Sequence, residues 1–120
     1  MKIEDKYELL ALHKCLMEAK FSADPNDFDI AGSPIAAKLA NEVVAELRNI
    51  DGEEWDEWRE ARNHQDRINN LVKALKMQNL NHLSSKQERE SFINNAIAPL
   101  VASEDVISQI MTEVFGEESI

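Results

Sequence analysis

Between Asp51 and Glu60 the chain carries six acids and both of its tryptophans. Glu53, Glu57, Glu60 and His64 recur at four-, three- and four-residue spacings, which on a helix aligns them in adjacent turns. Carboxylates and an imidazole so aligned are the donors of a metal site or of acid–base catalysis. Arg59 and His64, four residues apart in between, could together stabilise a phosphorane and move a proton. Trp55 and Trp58 share one helix side, with Asp56 and Glu60 beside them. Acids speed encounter with a basic protein, and a desolvated Trp prolongs residence.

Two short motifs resemble parts of known families. Glu53-Glu54-x-x-Glu57 resembles the first half of the Mg²⁺ site of the all-α nucleotide pyrophosphohydrolases. That family draws a Glu-x-x-Asp pair from a second helix, and no such pair follows Glu57. Arg59 and His64 resemble the Arg-x4–6-His spacing of the HEPN ribonucleases, although Glu60 stands where that family favours Asn, Asp or His. These resemblances imply a metal-dependent nucleotide or phosphodiester hydrolase as the alternative function. A simpler account of the acids is that they complement a helix dipole and pair with Arg59, Arg62 and Arg67.

The elements that must position these residues are helices. In 120 residues there are only three Gly and three Pro, too few for the turns of an all-β chain. Apolar residues make up 43%, enough for one core. A first helix is expected over 3–21, with Tyr7, Leu10, Met17 and Phe21 as its stripe and Cys15 as a small core residue. Asp24-Pro25-Asn26-Asp27 reads as a turn, with Phe28 and Ile30 pinning the loop to the core. Ser33 and Pro34 start a second helix, Ile35, Leu39, Val43, Leu47 and Ile50 form its face, and Gly52 ends it. Ala36, Ala37 and Ala40 leave room for a close neighbour. The third helix is expected to be the longest, running unbroken from Glu53 to Met77 or Leu80. Ser85 and Glu88 have capping-box spacing for a fourth, which Pro99 kinks or stops near Ala98. Ser103 caps a fifth, and Gly116 ends it. His13 is expected at the core edge and His82 exposed. The fold class is therefore all-α, a compact bundle of four to five amphipathic helices, mostly antiparallel. Residues 1–120 form one domain, frayed at 1–2 and 117–120.

Charge narrows the functions. The formal net charge is −10, which argues against binding DNA or RNA. One Cys excludes an intramolecular disulfide framework. No apolar run approaches a membrane span, and no apolar segment follows a basic start, so a cytoplasmic protein is expected. The leading expectation is a small non-enzymatic interaction, regulatory or inhibitor-like factor, of antitoxin or immunity type. It would need no cofactor and no metal, and its partner would be a basic protein met by Trp55, Asp56, Trp58 and Glu60. Self-association into a structural homo-oligomer is the other non-enzymatic alternative.

Overall fold

The structure, a computed structural model, describes residues 3–22, 24 and 29–116. Seven α-helices are present among them: α1 (Lys6–Lys20), α2 (Asp29–Gly32), α3 (Pro34–Asp51), α4 (Glu54–Trp58), α5 (Gln65–Lys76), α6 (Lys86–Ile97) and α7 (Glu104–Phe115). A 3₁₀ turn, Ala61–Asn63, links α4 to α5. The all-α class is as the periodicity requires. The helices outnumber the four or five expected because the loop before α3 contains a helical turn and the long third helix is broken.

Helix ends follow local chemistry. Asp5 Oδ1 accepts hydrogen bonds from the N–H of Tyr7 (2.7 Å) and Glu8 (3.3 Å), so α1 starts three residues later than expected. Ser33 Oγ accepts from the Ala36 N–H, and Pro34 occupies the first turn of α3. Ser85 Oγ accepts from the Glu88 N–H at 3.0 Å and donates to Glu88 Oε1 at 3.2 Å. Ser103 Oγ accepts from the Val106 N–H, and Gly116 closes α7 in the left-handed conformation (φ 68°, ψ 21°). Gly52 closes α3 at φ 100°, where an L side chain would be strained. Helix α6 stops at Ile97, ahead of Pro99.

Two apolar clusters hold the helices together. The larger joins α5, α6 and α7 through Ile68, Leu71, Leu75, Ile93, Ile97 and Ile110, with Met17 and Phe21 from the end of α1. The smaller lies between α1 and α3 and has three buried members, Leu9, Val43 and Leu47. The Lys6–Asp51 ion pair (2.6 Å) ties the start of α1 to the end of α3.

The inner face of α1 differs from the expected stripe. Leu9, His13, Met17 and Lys20 are buried, whereas Tyr7 is 78% exposed. Cys15, on the opposite side, is exposed rather than a core residue. Ile30 is half-buried, as a pinning residue would be; Phe28 lies outside the described residues.

Lys20 is only 1% exposed. Its ammonium donates to Ala31 O (3.2 Å) and Asn95 O (2.9 Å), carbonyls in the last turns of α2 and α6. The negative ends of two helix dipoles thus receive a cation. Burial still lowers its pKa to about 8. Beside it Gly32 meets α6 so closely that an added Cβ would lie 2.5 Å from Phe92 Cε2.

Candidate functional site

The expected third helix breaks where the candidate residues lie. Glu60 is extended (φ −67°, ψ 122°) and forms a parallel bridge with Val101. Ala61 N–H donates to Val101 O (2.9 Å), and Val101 N–H donates to Arg59 O (2.8 Å). Arg59 reinforces this junction: its Nε donates to Pro99 O and its Nη2 to Asn41 Oδ1, both at 2.8 Å. Backbone groups that a continuous helix would satisfy internally are satisfied across the chain instead. The stretch expected to form one unbroken helix is thereby divided between α4 and α5, with the 3₁₀ turn between them.

The break stacks four rings. His13 of α1 lies edge-on to Trp55 (5.3 Å between centroids) and to Trp58 (4.7 Å). The two indoles are 5.3 Å apart, and His64 packs on the other contact of Trp58 at 4.6 Å. Arg67 stands 5.8 Å over the Trp58 ring and donates from Nη1 to His64 Nδ1 (2.7 Å). The other ring nitrogen of His64, Nε2, bonds the Trp58 carbonyl. A guanidinium only donates and a carbonyl only accepts, so His64 is the neutral tautomer protonated on Nε2. Burial, and then the Arg67 charge, hold its pKa below the usual imidazole value, with the Trp58 carbonyl opposing. Burial lowers the pKa of His13 further, to about 4, helped by the charge of Arg67.

The sequence-derived sites map onto this junction unevenly. Of the candidate catalytic pair, Arg59 commits Nε and Nη2, and His64 both ring nitrogens, to the protein's own carbonyls and side chains. His64 has no ring nitrogen left to act as a base without breaking a bond. Glu53, just before α4, and Glu57, on it, are exposed. Glu60 Oε2 is 2.5 Å from Arg62 Nη2, an ion pair by distance without hydrogen-bond alignment. Glu53, Glu57, Glu60 and His64 do not converge: among the described residues no three His, Cys, Asp or Glu side chains could share a metal ion. His82 is exposed, as expected.

The four residues expected to meet a partner are engaged within the chain. Trp55 is half-buried, and its Nε1 donates to Asp51 Oδ2 (3.1 Å). Trp58 is half-buried against the larger cluster. Asp56 pairs with Arg48 at 2.8 Å, and Glu60 with Arg62. These contacts order the junction of α1, α3 and α4.

Sequence reasoning missed a different surface. Helix α3 buries Ala37, Ala40, Val43, Val44 and Leu47. Ile35 (73% exposed), Leu39 and Ile50 (47% each) are turned to solvent, although periodicity puts them on the apolar face. The signal was present in Ala37 and Ala40, whose small side chains let neighbours approach closely and rotate the buried face toward them. Beyond these, no described helix is long and apolar enough to cross a membrane. No family model, curated protein or solved structure matches this chain.

Proposed function

We propose that this is a cytoplasmic, non-enzymatic interaction protein, a small acidic factor that regulates or inhibits a partner by binding it. The observation that supports this reading is the outward apolar row on α3. Isolated exposed apolar residues are ordinary, but three on one face of one helix are a contact surface in the making. The helix folds without them, since its inner face is filled by alanines, valines and Leu47. The acidic composition gives such a surface a bias toward basic partners. Centring the reading on α3 leaves Trp55 and Trp58 as the internal frame that fixes the end of that helix.

Affinity capture from the cells that make the protein tests this, comparing wild type with Leu39→Asp. Leu39 is half exposed, so the variant is expected to keep its circular dichroism and melting temperature. A stoichiometric partner retained by wild type and lost by Leu39→Asp is the expected result. Identical captures from both would sink the reading.

A further inference from the structure

We infer that the outer face of α3 is a docking site for an amphipathic helix carrying lysine or arginine beside its aliphatic residues. This deepens, and rests on, the interaction reading above. At about 100° per residue, Ile35, Leu39, Glu42, Glu46 and Ile50 fall within an arc of about 80°. At about 1.5 Å per residue they form a row about 22 Å long, the length over which one helix lies along another. Aliphatic side chains occupy the two ends, and two carboxylates lie between them. The Glu46 side chain is exposed and makes no ion pair or hydrogen bond among the described residues. Among the described residues Glu42 has only Lys38, at 4.0 Å with both side chains largely in water, a contact that contributes little.

The same row argues against a second copy as the occupant. Two copies running antiparallel with Ile35 opposite Ile50 would set Leu39 of each against Glu46 of the other. Two running parallel would set Glu42 against Glu42 and Glu46 against Glu46. Either register desolvates unpaired carboxylates, and each copy carries a net charge of −10. A partner helix with two aliphatic residues about three turns apart and basic residues between them satisfies every position. Its aliphatic side chains meet Ile35, Leu39 and Ile50, and its cations meet Glu42 and Glu46. The apolar contacts would supply residence and the ion pairs orientation and encounter rate.

The probe is a synthetic 18-residue amphipathic helix of Leu and Lys, with a matched peptide in which every Lys is Glu. Titration into the isotopically labelled full-length protein, followed by amide chemical shifts, reports where the peptide lands. The expected result is saturable binding of the Lys peptide, with shifts centred on Ile35, Leu39 and Ile50. Binding should weaken roughly tenfold in Leu39→Asp, weaken in Glu46→Lys, and fall with added salt. The Glu peptide should not bind. Shifts confined to α4 or α7, equal affinity for Leu39→Asp, or comparable binding of the Glu peptide would overturn the proposal. Sedimentation showing a wild-type dimer that Leu39→Asp dissolves would also overturn it, in favour of a second copy. If the peptide fails while Leu39→Asp still loses a captured partner, the occupant is wrong and the interaction reading stands. If that capture is unchanged as well, both fall.

Discussion

The two apolar clusters use similar residues in opposite ways. Around α5, α6 and α7, the large side chains point inward, and Leu71, Ile93 and Ile97 are almost wholly excluded from water. The cluster between α1 and α3 has just three buried members, Leu9, Val43 and Leu47, while Leu10, Leu12 and Leu16 are half-covered and Ile35, Leu39 and Ile50 are exposed. One half therefore concentrates its hydrophobic surface on stability. The other closes with small residues and leaves its larger aliphatic groups available. The seam between the halves holds the polar groups that are hardest to bury: Lys20 at the ends of α2 and α6, and His13 and His64 around Trp58.

Truncation of the large cluster is the strongest way to test the contrast. Leu71→Ala is expected to cost about 3 kcal/mol in denaturant unfolding, because a fully enclosed site relaxes little around the cavity. A loss below about 1 kcal/mol would mean that this core is looser than its burial indicates.

The His–Trp seam should weaken next, on acidification. In the unfolded chain both imidazoles take up protons near the usual value of 6.5, whereas in the fold His13 resists down to about 4 and His64 is shifted the same way. Their contribution is thus complete above pH 6.5 and disappears as the pH falls toward 4. A loss on the order of 2 kcal/mol is expected from His13, discounted for partial solvent access. His13→Phe should flatten that part of the stability–pH curve; an unchanged curve would remove His13 from the explanation.

Lys20 should act at the other end of the pH scale. Its folded pKa is about 8 against 10.5 in the unfolded chain, so the unfolded state holds more protons between those values. Stability attributable to Lys20 therefore rises from pH 8 to 10.5, by about 1–2 kcal/mol once the full shift of about 3 kcal/mol is reduced for the two carbonyls that solvate the ammonium. Comparing wild type with Lys20→Met over that range isolates the effect from other alkaline titrations. Parallel curves would show that the ammonium is better solvated than its burial implies.

The smallest effect belongs to the outer face of α3. Leu39→Ala is expected to change stability by less than about 0.5 kcal/mol, as an exposed substitution between two good helix formers does. A cost of 2 kcal/mol would show Leu39 to be a core residue and dissolve the contrast between the two halves.

What the sequence determined by itself was what neighbouring residues decide among themselves. Ser33, Ser85 and Ser103 start their helices, Pro34 enters a first turn, Gly52 and Gly116 take positive φ, and α6 ends before Pro99. Each depends on hydrogen bonds or sterics within a few residues. The all-α class followed from the same local signals combined with apolar periodicity. Of the candidate site, the sequence showed which groups lie near one another along the chain, but not whether their side chains were free.

Tertiary structure decided the remainder. The break between Trp58 and Gln65 exists because Val101, about forty residues away, accepts and donates the hydrogen bonds that a continuous helix would have kept to itself. Lys20 can be buried because Ala31 and Asn95 bring carbonyls to it from two other helices. Helix α3 had two faces apolar enough to bury, and close approach at Ala37 and Ala40 selected between them. Periodicity ranks the faces of a helix by hydrophobicity, whereas packing ranks them by the fit of shape against neighbours that periodicity does not describe.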